Sequence, residues 1–444
     1  MSPRPGGAGR GLGRAGRLLS SAGGAVTVQF VTAGGSLVVQ ALAARTLGAD
    51  GFGAYALLLS VLVMITALQT SFVGDTLTVF DRFEPRIRGA LLLSVAGTVA
   101  AGTLAGAAVA VGLGVAVPAG AALFALWLLN ETGRRIFTAR GEFWRLAAND
   151  CCYVAVTLGT LAGALALDVP ASVDLLLGAM SVGCAVSIAL AVLRLPKREL
   201  APAPLRGSAL REVLGFAWWR SVQAAIRPSA LLAARFLIVA FSSTALLAGI
   251  EAARLLLAPA LTLINGAGGF LLSHFAKAER EGRPVATRRA LRASAVLGAV
   301  ALAVSAAGVL LAGPLGPVVT GGSFEVDGTA LIGWGVYAVC VACTLPLAML
   351  ATVRKESRTV FMIRATEALT GLAALAALLV AGEGNAVYAP YCLGIGGLVS
   401  SALLWRMLRR GDPDQRPRRR DADAAASSGP ADALAAGTGT AGRP

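Results

Sequence analysis

The stretch AARTLGADGFGAYALLLS, residues 43–60, decides the fold. Two long apolar runs meet here through one arginine, one aspartate and three closely spaced glycines, a composition suited to a tight connection between packed membrane helices. The runs on either side, 21–44 and 53–77, are long enough to cross the ~30 Å hydrocarbon core as helices. Similar runs recur along the whole chain.

The chain has 444 residues, of which 56% are hydrophobic and 14% charged, against roughly 25% charged for a soluble protein. Its apolar segments parse into twelve spans at 21–44, 53–77, 89–112, 117–136, 147–168, 171–193, 213–241, 245–272, 290–313, 327–350, 359–381 and 386–407. The expected fold is therefore all-α and polytopic. In 117–136 the apolar run ends early at Asn130, Glu131, Arg134 and Arg135, so this helix is expected to project beyond the membrane.

A net charge of +15 suggests nucleic acid only until the basic residues are placed. Alternate connections hold them: Arg82, Arg86 and Arg88, then Arg134 to Arg145, Arg194 to Arg211, Lys277 to Arg292, Arg354 to Arg358, and Arg406 to Arg420. The intervening loops 168–172, 314–326 and 382–385 hold none, and Arg45 is the exception. This is the positive-inside pattern, and it puts both termini in the cytoplasm. No basic surface interleaved with aromatic residues accompanies the charge, so no nucleic-acid partner is expected. Residues 1–20 are Arg- and Gly-rich like the start of a signal peptide, but the apolar run behind them is too long for an h-region. They read as a cytoplasmic segment before an uncleaved helix, and 409–444, with little to bury, as a disordered cytoplasmic tail. The Ala-, Gly- and Arg-rich composition points to a GC-rich bacterium, hence to its inner membrane.

An internal repeat is visible. TARGEFWRL at 138–146 matches TVRKESRTV at 352–360 at an offset of 214, and the Leu-Gly pairs of the sixth and twelfth spans stand 216 apart. The arrangement expected is two parallel six-helix lobes, 21–193 and 213–408, joined by the cytoplasmic linker 194–212 around a central cavity.

Several chemistries are excluded. No Gly-x-x-x-x-Gly-Lys-Ser/Thr loop is present. All six cysteines fall in apolar spans, Cys340-x-x-Cys343 has no second pair, and His274 is the single histidine, so no zinc site or catalytic triad can assemble. No cofactor is expected. The glycine strings NGAGGF (265–270) and LGIGGLVSS (393–401) lie in apolar spans and read as close helix contacts.

A charge at the bilayer centre costs about 2.5–3.5 kcal/mol on insertion scales, which makes each intramembrane charge informative. The seventh span carries Arg220, Arg227 and Arg235, all within about 80° of one another on a helix. The eighth adds Glu251 and Arg254, while the first offers only Gln29, Thr32 and Gln40. The second-lobe side of a central cavity is thus expected to be cationic. Each residue also has a structural reading: Arg220 and Arg235 can snorkel, and Glu251 with Arg254 can form an i, i+3 ion pair. Arg227 is mid-span and precedes Pro228, which frees a backbone carbonyl, so a ligand-contacting or gating role suits it. Asp75, Glu131, Asn149 and Asp150 group near cytoplasmic helix ends and read as interface anchors or a gate. Arg364 and Glu367 repeat the i, i+3 spacing and read as a structural pair.

Arg45-Thr-Leu-Gly48 followed by Gly51-Phe52-Gly53-x-Tyr55-Ala56-Leu57 resembles the first-loop signature of polysaccharide flippases of the multidrug/oligosaccharidyl-lipid/polysaccharide exporter superfamily. AGPLGPVVTGGSFEVDGTALIGWGVYAV (312–339) is similar to the Gly-x-x-Phe connection of that family. The resemblance implies two lobes around a central cavity, and alternating access that moves a polyprenyl-diphosphate-linked glycan between leaflets. It also implies membrane lipids as partners, alongside glycosyltransferases and a polymerase of the same pathway. Arginine binds diphosphate through charge-assisted, often bidentate hydrogen bonds, which makes Arg227, Arg235 and Arg254 the candidate cargo contacts, with Glu251 and Arg220 beside them. Asp75, Asp150 and Glu131 are the candidate gating or coupling residues. No covalent chemistry is required, so an enzyme is not expected. A cation-coupled multidrug exporter of the same fold would carry a carboxylate deep in the first lobe. A non-transporting scaffold for glycan assembly would have no need of several unpaired arginines at membrane depth. In the opening stretch, Phe52 and Tyr55 read as anchors at the membrane–water interface and Arg45 as a snorkelling cap.

Overall fold

The computed structural model describes residues 8–410, apart from 282, 284 and 355. The expectations for residues 1–7 and for the tail beyond 410 lie outside these residues.

The helical stretch Ala8–Gln69 is broken at Gly48, whose φ of 67° and ψ of −177° are open only to a residue without a Cβ. The break separates α1 (8–47) from α2 (49–79), and α2 contains a π-helical turn at Thr70–Asp75. Thr32 on α1 meets Arg134 and Gln69 on α2 meets Thr132, within one turn of Val117–Arg140, so the two helices run antiparallel. The first lobe continues with α3 (Pro85–Gly112), α4 (Val117–Arg140), α5 (Phe143–Ala166) and α6 (Val173–Arg194). The second holds α7 (Leu210–Phe241), α8 in two pieces (Thr244–Leu256 and Ala258–Arg280), α9 (Thr287–Leu310), α10 (Gly328–Val353), α11 (Ser357–Ala381) and α12 (Ala389–Arg410). No strand occurs among the described residues.

Eight of these helices are long and apolar enough to span a membrane, or nine with the bent α8 taken as one span. The first of them runs 53 residues and divides at Gly48. Of matching length but more polar, α4 and α5 complete a bundle of about twelve helices. The polar additions in α4 are the residues that end its apolar run, and the helix continues past them to Arg140.

Local sequence sets the ends. Ser172, Ser243 and Asp327 cap α6, α8 and α10 by accepting the backbone N–H three residues on, at 3.1, 3.1 and 2.6 Å. Pro259 lacks the N–H that would bond Leu255, and α8 bends there by 59°.

The sequence repeat is visible as repeated contacts. Ser187 on α6 donates to Asn130 on α4 at 2.9 Å, and Ser401 on α12 meets Thr344 on α10 at 2.6 Å. Both partners are displaced by the same 214 positions. The same offset carries the turn closure Glu142 N–H to Phe137 carbonyl (3.0 Å) onto Glu356 N–H to Ala351 carbonyl (3.1 Å).

The arginine-rich connections gather at one end of the bundle. Glu199 in the inter-lobe linker accepts from Arg82 and Arg140 there, and Arg354 donates to the carbonyls of Val285 and Leu408. At the opposite end the two stretches that carry the family resemblance touch each other. Phe52 stacks on Phe324 with centroids 6.0 Å apart, Thr244 donates to Asp50 at 2.7 Å, and a Cβ on Gly53 would stand 2.0 Å from the Thr244 carbonyl. Phe52 and Tyr55 are therefore not interface anchors: they are 1% and 2% exposed, inside the first-lobe core. Arg45 is exposed, as a snorkelling residue would be, and its stem packs on Gly321. The first piece of α8 joins the lobes by facing both cores, with Leu247, Ile250 and Ala253 toward the second and Ala248, Ala252 and Leu255 toward the first.

Candidate functional site

Two cavities flank α7. The larger, about 340 Å³, lies between the lobes, lined by α1, α2, α4, α5 and α6 and by Leu231, Arg235 and Arg254 from α7 and α8. The smaller, about 190 Å³, lies within the second lobe, lined by α7, α10, α11 and α12. Leu231 faces both.

The larger cavity has two charged groups in its wall. In the first, Glu251 accepts from Arg235 Nε at 2.7 Å and Nη2 at 3.1 Å, and from Arg254 Nε at 2.6 Å, while Arg254 Nη2 donates to Gln40 of α1 at 3.0 Å. Glu251 is 2% exposed, and holding one carboxylate between two guanidiniums leaves a net charge of +1. Neither arginine snorkels. In the second group, Arg134 donates to Glu131 at 2.7 Å and to both oxygens of Asp150 at 2.9 and 3.0 Å, and Thr32 of α1 donates to Asp150 at 2.8 Å. Arg135 also pairs with Glu131. Beneath them a buried chain runs from Asn149 through Ser187 to Asn130.

The smaller cavity is organised differently. Arg227 Nε donates to the Tyr337 hydroxyl at 3.1 Å, with its guanidinium 5.7 Å from that ring. Arg364 and Glu367 line the same space, yet Arg364 makes no hydrogen bond or ion pair among the described residues, and Glu367 Oε2 has no partner. The expected structural pair between them does not form, because neighbouring positions on one helix face bring the Cβ atoms together without setting where long side chains end.

Arg220 joins neither cavity. It pairs with Asp75 of α2 at 2.6 Å, linking the two lobes at the arginine-rich end. So the three arginines of α7 serve three places, and Asp75 is apart from Glu131 and Asp150. Arg220, Arg235 and Arg254 have carboxylate partners, which leaves Arg227 and Arg364 to carry the argument against a scaffold. Glu131 and Asp150 face the larger cavity from the halves of α4 and α5 nearer the 140–142 link. Sequence reasoning missed Arg134, taken as a loop charge, and Arg364. The repeat could have flagged the latter, since it stands 214 positions after Asp150.

No group of three or more His, Cys, Asp or Glu side chains fit to hold a metal occurs among the described residues. Two helix bundles of like connectivity with a cavity between them make an all-α polytopic fold. No family model matches the chain, and no curated protein matches it in sequence. Among solved structures, an inward-facing multidrug resistance MATE family transporter of the MOP superfamily superposes with a TM-score of 0.68 at 14% identity, covering 86% of this chain and 94% of that one. An outward-facing form gives 0.60 at 16% identity, covering 87% and 94%. The lipid II flippase MurJ in an inward closed conformation gives 0.67 at 10% identity, covering 88% and 87%.

Proposed function

We propose that the protein moves a polyprenyl-diphosphate-linked oligosaccharide or polysaccharide repeat unit across a bacterial cytoplasmic membrane by alternating access, with both termini and the arginine-rich end in the cytoplasm. The observation that carries this reading is the +1 group Arg235–Glu251–Arg254 in the wall of the inter-lobe cavity. Guanidiniums already oriented by a carboxylate retain further N–H donors, and these suit a diphosphate. A neighbour of like fold named a lipid II flippase supports the cargo class. The lobes 21–193 and 213–408 would rock about the contact between α8 and residues 43–60, with linker 194–212 and the Asp75–Arg220 pair at the opposite end. Glycosyltransferases and a polymerase would supply and consume the cargo, and the protein itself needs no cofactor and breaks no bond.

One observation favours a second reading, a cation-coupled multidrug exporter. Asp150 and Glu131 face the same cavity, as such an exporter requires. Reconstitution in liposomes separates the two: transbilayer movement of a polyprenyl-diphosphate glycan is compared with efflux of organic cations under a proton or sodium gradient. Lipid movement reduced by Arg254→Gln at unchanged abundance supports the flippase. Cation efflux without lipid movement overturns it.

A further inference from the structure

The second-lobe cavity holds charges that do not pair with one another. Arg227, Arg364 and Glu367 face it, so two guanidiniums meet one carboxylate, and neither guanidinium lies within ion-pair distance of that carboxylate. Like charges brought to one cavity away from water repel strongly unless an anion lies between them. Donors stand ready as well. The Tyr337 oxygen accepts from Arg227, which leaves its own proton to give, the Gln223 amide lines the cavity, and the Arg364 guanidinium has all its N–H groups unused.

The internal repeat supplies an independent argument. Arg364 stands 214 positions after Asp150. In the first lobe that position is the anion itself: Asp150 is held by Arg134 and Thr32. In the second lobe the position carries a cation, and the one carboxylate lining its cavity, Glu367, forms no ion pair with it.

We infer that the second-lobe cavity binds one oxyanion group, a carboxylate or a singly charged phosphate, between Arg227 and Arg364 with the Tyr337 hydroxyl as a third donor. One negative charge brings the cavity to neutrality, and about 190 Å³ holds such a group with several waters. The group can be a free anion or an anionic lipid headgroup. The site is separate from the inter-lobe cavity, so it stands or falls without the transport reading.

The test uses the full chain in phosphatidylcholine nanodiscs, titrated at constant ionic strength with inorganic phosphate or acetate and read by calorimetry and thermal midpoint. A parallel arm omits both anions and adds phosphatidylglycerol to the disc. Saturable binding in the first arm assigns a free anion, and stabilisation confined to the second assigns a headgroup. In whichever arm responds, Arg364→Gln is expected to weaken the effect about tenfold or more, since a hydrogen bond to a charged group contributes roughly 1.5–3 kcal/mol. Glu367→Gln is expected to strengthen it by a similar factor by removing the competing charge. That second variant decides the matter if Arg364→Gln fails to fold, because only an anion site gains affinity from losing a carboxylate. No saturable response in either arm, or a response unchanged in Glu367→Gln, overturns the proposal.

Discussion

In the first lobe α1, α4 and α5 set Arg134 between Glu131 and Asp150, whereas in the second lobe the matching helices bring Arg227 and Arg364 to one cavity with Glu367 out of reach. The helix scaffold repeats closely enough for Ser187–Asn130 and Ser401–Thr344 to recur at one offset, while the charges do not repeat. Duplicated packing with diverged polarity shows that the apolar and small-residue contacts hold each bundle, and that the ionisable residues are free to differ in purpose. A buried polar group is costly only when unpartnered, so each lobe has had to settle its own charges.

The largest test of this contrast compares two carboxylates. Glu251→Ala strands Arg235 and Arg254 and is expected to cost about 3–5 kcal/mol, as for breaking a buried ion pair. Glu367→Ala breaks no ion pair and is expected to lower the thermal midpoint far less. Equal losses would mean that the second cavity is as fully paired as the first.

A smaller effect comes from matched glycines. A Cβ at Gly183 would lie 2.2 Å from Thr157 Oγ1 and 2.9 Å from the Tyr153 carbonyl, while at Gly397, 214 positions on, its nearest neighbour would be Cys340 Cβ at 3.1 Å. Gly183→Ala should cost about 1–3 kcal/mol by overpacking, and Gly397→Ala clearly less, in the same unfolding assay. The reverse order would show that α12 is the tighter joint.

The smallest effect concerns pH. Glu142, in the link between α4 and α5, is held below its ordinary value of 4.5 by the hydrogen bond from Arg140 first, against a partial desolvation that raises it, with Arg145 adding to the lowering. A carboxyl with a lower pKa folded than unfolded contributes stability that is complete above the ordinary value and lost as pH falls through the lowered one. Acidification through that range should loosen the 140–145 link. The matching Arg354 donates to backbone carbonyls, which do not titrate there. Hydrogen exchange corrected for its intrinsic pH dependence should show protection lost in the first link alone; equal loss in both would erase the contrast.

Much of this was readable from the chain, for identifiable reasons. The spans were legible because lipid forces apolar length, and the repeat because TARGEFWRL and TVRKESRTV keep Thr, Arg and Glu in step. Arg227, Arg235, Glu251 and Arg254 stood out as charges in apolar text. Their allocation did not, because Arg227 and Arg235 share a helix face yet lie on either side of Leu231, and only α10 and α11 determine which cavity each enters. Phe52 could not be recognised as buried, since its partner Phe324 comes from a loop 272 positions away. Arg134 was hidden for a related reason: Asp150, which makes it a bridge, lies across a helix turnaround.

The π turn at Thr70–Asp75 has a consequence of phase. One surplus residue in a turn rotates everything after it by about 100° relative to a continuous α-helix. Before the turn, Gln69 faces α4 of its own lobe; at its end, Asp75 faces Arg220 of the other. Deleting a single residue within 70–74 would keep both side chains and swing the carboxylate away from its partner. At this end of the molecule the lobes are held together by register as much as by charge.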